Sequence, residues 1–497
     1  MRYISTRNKE ISASSAQAIV NGLAADGGLF VPETFPTLTD GDFDKLIEMS
    51  YPERVAYVLS LFLEDYTLEE LNDFSEQAYS RFFGDDPCPL VNVDDKLYVL
   101  ELWHGPTCAF KDMALTMLPH LLTAGRKKTG ENDKTLILVA TSGDTGKAAL
   151  EGFRDVEGTD IIVFYPSDGV SEMQKLQMMT QLGENVYVCA IKGNFDDAQS
   201  AVKKIFANAD IKNILKENGY KLSSANSINW GRLAPQIAYY VSSYCDLISS
   251  GEIERGEKVN FCVPSGNFGN ILAAYYSSKM GVGVGKLICA SNENNVLTDF
   301  FQTGVYDTNR EFYKTMSPSM DILISSNLER LLFEFCGRDD KLMAERMQSL
   351  KDNGKYSISK QELAELRKIF DVGCASEDDT SATIESYLDL YDYLIDTHTG
   401  VACSVYNDYA DRTNDPTVTV IVSTASAYKF PVDVYEAVNF ERIEDAFKAS
   451  KKLYSFSGEQ IPLPLKGLNE KPIRFDDVIE KDEIEKVVVN FVTKSKK

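Results

Sequence analysis

The chain has 497 residues, 44% hydrophobic and 25% charged, a balance that excludes wholesale disorder and, at ~150 residues per domain, implies about three lobes. Fifty-one Lys and Arg against 75 Asp and Glu leave a formal charge of -24, a surface that repels nucleic acid and anionic membranes while leaving any pocket free to set its own field. No apolar run reaches about 18 residues, so no membrane span is expected, and the opening MRYISTRNKEIS lacks the apolar core of a secretory signal. In chain order, Val55 to Leu63 is apolar-rich, and Thr67-Leu68-Glu69-Glu70 is a capping-box pattern ahead of Leu71, Phe74 and Ala78 at helical spacing. The first ninety or so residues therefore read as a helical lobe. From Tyr98 the rhythm changes. A continuous apolar run at Leu136–Ala140 and similar runs at Ile161–Phe164, Val186–Ile191, Val259–Val263, Leu287–Ala290 and Val418–Val422 suit strands buried on both faces. Helical patterns lie between them: Ser171 to Leu182, a helix starting near Pro235, and another from Gly269 to Met280 that stops at Gly281. This alternation predicts an α/β fold with mainly parallel sheets, whose ligands sit in the strand-to-helix turns. Residues 300–395 interrupt it with a mostly helical insertion, containing a second capping box at Ser359–Glu362 and an acidic loop from Ser376 to Asp379.

Nine Cys, none in a CxxC pair, and three His (His104, His120, His398) without HxxxH spacing argue against a disulfide framework or a metal site and suit a reducing cytoplasm. Two strand-to-helix turns are rich in Gly: Thr141-Ser142-Gly143-Asp144-Thr145-Gly146-Lys147, and Pro264-Ser265-Gly266-Asn267-Phe268-Gly269-Asn270. Either can turn its amides toward an anion at a helix N-terminus, and either can be plain turn geometry. Gly143 and Gly146 enclose two residues rather than four, so the first is not a Walker loop. Lys111 follows a Gly-Pro turn at the start of an apolar helical pattern. Spacing alone leaves two readings, a buried amine of depressed pKa or a surface lysine with its stem buried.

The string HGPTCAFKD (104–112) resembles the HGPTxAFKD signature of the threonine synthase family, pyridoxal-phosphate (PLP) enzymes of the tryptophan-synthase-β fold type (fold type II). ATSGDTGKAAL (140–150), NSINWGRLAPQ (226–236), PSGNFGN (264–270), SPSMDILISSNLERLLF (317–333), STASAYKF (423–430) and the opening ISTRN with GLAADGGLFVPE (22–33) resemble that family's blocks in order, over essentially the whole chain. The resemblance implies PLP as cofactor, carried by Lys111, which then moves protons as base and acid, with His104 the runner-up. It implies a phosphate cup made by Gly266, Asn267, Phe268, Gly269 and Asn270, and Thr424 facing the pyridine nitrogen. It also implies that Ser142, Asp144, Thr145, Asn226, Ser227, Asn229 and Arg232 bind substrate. Roles within 317–333 stay open between packing and substrate contact. The family's closing block usually reads TAHPAKF; Ser426 and Ala427 replace its His and Pro here.

The implied reaction converts O-phospho-L-homoserine and water to L-threonine and phosphate. The alternatives are a phospho-lyase or dehydratase of the same ancestry, giving 2-oxobutanoate, and a catalytically silent relative. The expected organisation is a mainly helical N-terminal lobe (1–92), a large PLP-binding α/β domain (93–138 and 220–460, with the insertion), a smaller substrate lobe (139–219), and a tail (461–497) packing on the large domain. A cytoplasmic monomer or homodimer is expected, without metal.

Overall fold

The computed structural model describes residues 1–141, 143–168 and 170–494. Two parallel-rich sheets organise it, with helices on their faces, as the alternating pattern predicts. The large sheet has six strands in the order Phe370–Cys374, Val284–Ser291, Val259–Pro264, Thr419–Ser423, Leu97–Glu101 and Leu90–Asp94. All neighbours run parallel except the last pair, a hairpin. The small sheet is wholly parallel: Val478–Glu480, Val186–Lys192, Thr159–Pro166, Lys134–Ala140 and Tyr220–Ser223. Every residue of Thr159–Pro166 and of Val259–Pro264 is buried, which is why these strands read as largely apolar runs. Each fully buried aliphatic side chain in them contributes about 1.5–3 kcal/mol.

The helices follow their local signals. Thr67 accepts from the Glu70 amide and Glu70 returns to the Thr67 amide, starting Leu68–Tyr79; Ser359 and Glu362 do the same for Lys360–Ile369. Tyr51–Phe62 and the 20-residue helix Trp230–Ser249 pack together, with Trp230, Leu233, Ile237 and Val241 fully buried. Among the described residues no helix is long and apolar enough to cross a membrane.

Several expectations are corrected. The long helix begins at Trp230, capped by Asn229, and Pro235 lies inside it; the cap starts the helix, and packing carries it past the one amide that proline lacks. The acidic stretch Ser376–Asp379 is no loop but the capping box and first turn of Glu377–Tyr391, where carboxylates favour the positive helix end. The insertion contains Phe370–Cys374, an edge strand whose Asp371 and Gly373 break the apolar run. The N-terminal lobe holds a three-stranded antiparallel sheet (Tyr3–Ser5, Ser12–Ala13, Phe30–Pro32) beside its helices, because strands so short leave no pattern to read.

The expected boundaries also shift. The one near 92 falls inside Leu90–Asp94, and that near 138 inside Lys134–Ala140; Tyr220–Ser223 belongs to the small sheet. The tail divides. Leu465 and Leu468 join the large sheet's core, while Val478–Glu480 extends the small sheet and Ile484, Val488 and Val492 cover its apolar face. Edge pairing and an amphipathic helix, rather than sequence proximity, decide where the tail docks.

Candidate active site

Lys111 stands just before the short helix Asp112–Leu115, in a turn shaped by Cys108, whose φ of 58° is left-handed. An isolated antiparallel bridge joins Ala109 to Ala425, and the Phe110 amide donates to the Thr424 carbonyl at 2.8 Å. The Lys111 loop is thus tied to the end of the Thr419–Ser423 strand, and to Thr424. The side chain of Lys111 is 11% exposed. Its Nζ donates to Ser319 Oγ at 3.1 Å and lies 3.8 Å from Asp144 Oδ2. Burial brings its pKa down from 10.5 to about 8; Asp144 opposes the shift, and the cations Lys429 and Arg232 add to it.

Asp144 opens the helix Asp144–Phe153 after Gly143, whose φ of +142° suits glycine alone and whose missing Cβ leaves room for Gln174. Its carboxylate accepts from Gln174 Nε2 at 2.9 Å and meets Lys429 Nζ at 2.8 Å. Burial pulls its pKa upward, but Lys429 and then Lys111 outweigh that and hold it well below the usual carboxylate range. Lys429 is fully buried and spends its other protons on the Thr107 carbonyl (2.9 Å) and Gln177 Oε1 (3.0 Å). Neither Lys429 nor the glutamines figured among the site residues expected from sequence; the only signal was that Lys429 survives in the altered block 423–430.

The second glycine-rich turn is held from outside. Ser325 Oγ donates to the Gly266 carbonyl at 2.7 Å, and Asn327 donates to the Asn267 carbonyl through its amide and its side chain, both at 3.1 Å. The block 317–333 therefore buttresses this turn. Gly266 is needed for close approach, since a Cβ would lie 2.8 Å from the Ser319 carbonyl oxygen. Ser319 thus touches the turn with its backbone and Lys111 with its side chain. Phe268, at φ 62°, caps the helix Gly269–Lys279 and stacks on Phe301. Asn270 accepts from the hydroxyls of Tyr239 and Tyr240, both at 2.6 Å, while its buried Nδ2 has no partner among the described residues.

The remaining expected substrate residues divide. Arg232 is buried; its Nη1 donates to the Ala225 carbonyl at 2.8 Å and its Nε is unpartnered among the described residues. Burial brings this guanidinium down to about 10. Asn229 is spent as a helix cap, accepting from the Gly231 amide and donating to the Ile19 carbonyl, and Ser227 accepts from Asn327. Asn226 is exposed, and with Asn229 it lines a cavity of about 710 Å³ whose walls do not include Lys111. Thr145 is half-buried, and Ser142 lies outside the described residues. Lys111 thus has two cations, Lys429 and Arg232, and two carboxylates, Asp144 and Asp112, around it, in a chain of charge -24.

The model of the family described as "Threonine synthase N terminus" matches residues 2–79, and that described as "Pyridoxal-phosphate dependent enzyme" matches 86–424. The chain is 40% identical to threonine synthase of Pseudomonas aeruginosa, covering 88% of this chain and 90% of that one. The chain belongs to the threonine synthase family. Its fold superposes on the crystal structure of PLP-bound threonine synthase from Brucella melitensis with a TM-score of 0.88 and 36% identity, over 99% of this chain and 98% of the other. It is also 40% identical, over 91% of its length, to human threonine synthase-like 1, and spans 62% of the length of that protein. Against the usual block of the threonine synthase family, Ser426 makes a local substitution: its hydroxyl accepts from the Tyr428 amide and caps the turn Ala427–Lys429. Lys429 keeps its place at Asp144.

Proposed function

We propose that the chain is a PLP-dependent threonine synthase, converting O-phospho-L-homoserine and water into L-threonine and phosphate. The observation that carries this reading is a buried amine of lowered pKa in a site whose cations outnumber its carboxylates. A buried Arg232 without a carboxylate partner is costly unless an anion completes it. The residues present fit PLP and a second phosphate ester: glycine-rich amides at the N-terminal end of Gly269–Lys279, an unpartnered Asn270 Nδ2, and an unpartnered Arg232 Nε.

PLP, when bound, supplies an electron sink that stabilises negative charge on substrate carbon atoms. Lys111 holds the cofactor and, at a pKa of about 8, exchanges a proton readily near neutral pH. Gly266, Asn267, Phe268, Gly269 and Asn270 receive the cofactor phosphate, and Thr424 offers the ring nitrogen a neutral hydroxyl, which leaves that nitrogen less protonated than a carboxylate would. Arg232 and Thr145 grip the anionic ends of the substrate, and Ser142 belongs with them. Asp144 is assigned differently: ionised and paired to Lys429, it balances charge beside Lys111 and repels substrate anions from that side.

The test is to supply O-phospho-L-homoserine to the PLP-loaded chain and to measure threonine and phosphate together. Equal amounts of both are expected. Phosphate with 2-oxobutanoate and no threonine would replace this reading by the lyase, and neither product would reject both.

A further inference from the structure

Three distant stretches of chain converge on Ser319. It sits in the 3-10 turn Pro318–Met320, in a loop pinned by Asn292, whose Nδ2 donates to Thr315 Oγ1 (2.8 Å), Ser317 Oγ (2.9 Å) and Asp321 Oδ1 (2.8 Å). The Ser319 amide donates to His398 Nε2 at 3.1 Å. An acceptor at Nε2 puts the ring proton on Nδ1, which faces Asp396 Oδ2 at 2.7 Å. Asp396 in turn caps the helix Thr397–Thr413, accepting from the His398 and Thr399 amides at 3.0 Å each. The turn is thereby fastened to a helix terminus through a neutral imidazole of defined tautomer.

On its other side, Ser319 Oγ accepts from Lys111 Nζ at 3.1 Å and donates to Asp144 Oδ2 at 3.3 Å. Lys111 and Asp144 are 3.8 Å apart, beyond direct hydrogen bonding. Asp144 is far too acidic to take a proton from the amine. The hydroxyl therefore points its hydrogen at Asp144 and a lone pair at Lys111, which engages one N–H and turns the lone pair of a neutral amine away from Ser319.

We propose that Ser319 orients the reacting amine of Lys111, and that His398 is the positioning residue that holds Ser319 in place. The proposal rests on the reading of Lys111 as the cofactor-bearing lysine; no bond is made or broken by Ser319, and no proton passes to Asp144. The test follows the rate at which cofactor-free full-length chain turns yellow on addition of PLP, together with thermal melting and with kcat and KM for O-phospho-L-homoserine. Ser319→Ala and His398→Leu are each expected to slow capture by about tenfold, the worth of one hydrogen bond. Ser319→Thr, which keeps the hydroxyl, and His398→Gln, which offers a carbonyl oxygen to the Ser319 amide, should recover most of that rate. Because His398 acts through Ser319, the double variant should be no slower than Ser319→Ala alone.

Capture at the wild-type rate in Ser319→Ala, or single effects that multiply in the double variant, would overturn the proposal. If an apolar variant melts early, the conservative variants decide: capture by folded Ser319→Thr and His398→Gln as slow as by the apolar pair also overturns it. A wild-type chain that captures PLP normally yet forms no threonine would reject the proposed function and leave this inference standing.

Discussion

Replacing Lys111 by Met should change how stability depends on pH in a calculable way. A lysine whose pKa falls from 10.5 to about 8 on folding binds its proton less tightly in the folded chain. Below pH 8 the amine is protonated in both states, and the full cost of holding a cation there is present. Between about pH 8 and 10.5 the folded protein has released the proton while the unfolded chain retains it, so stability must rise with pH across that window. The difference amounts to about 3 kcal/mol at about 1.4 kcal/mol per pKa step. Lys111→Met keeps an unbranched apolar stem and removes the titrating amine. Asp144 titrates far below the window. Urea unfolding of the cofactor-free proteins, followed by the fluorescence of Trp103 and Trp230, should therefore show the wild type gaining about 3 kcal/mol on the variant from pH 8 to above 10. Profiles that stay parallel to within about 0.5 kcal/mol would refute the claim that this amine is held against its solvation.

Lys429→Met strips Asp144 of its main partner and should cost about 3–5 kcal/mol, of which Asp144→Leu in the same chain restores at least about 2 kcal/mol in urea unfolding. Asp144 has a folded pKa below its unfolded one, so its stabilisation holds above the ordinary carboxylate range and is lost as pH falls through the folded value; the Lys429→Met chain should therefore unfold in acid at a higher pH than the wild type. Arg232→Gln should weaken inorganic phosphate binding by about tenfold or more in calorimetric titration, since a bidentate donor is lost from a buried position. Gly266→Ala places a Cβ against the Ser319 carbonyl; a loss of about 1–3 kcal/mol of stability, seen as a lower melting temperature, and weaker PLP retention are expected, and unchanged PLP affinity would count against the role assigned to that turn.

What the sequence discloses follows from range. Strands buried on both faces announce themselves as aliphatic runs, and capping boxes such as Thr67–Glu70 are complete within four residues. Phe370–Cys374 does not, because an edge strand needs no such run. Pro235 misleads because its usual place is a first turn, whereas this helix is started by Asn229. In the site, Lys111 is visible through its surrounding string. Its companions are not: Ser319 lies 208 residues away, and Lys429 reaches Gln177 across 252 residues. Nothing local marks an ion pair that exists only once two lobes have met. Asn229 shows the converse, a residue inside a matched block whose side chain is consumed by a helix start.

The pairing of Val478–Glu480 with Val186–Lys192 spans 288 positions. A ribosome that has already released the other four strands of that sheet must still make four of the six strands of the large one before the fifth appears. Until then Val186–Lys192 offers an open row of amides and carbonyls, and Leu136, Leu138 and Ile162 lack the cover of Ile484, Val488 and Val492. Nascent or truncated forms should lean on chaperones at this one border, and a bulky fusion placed just after position 475 would hold the border open for good.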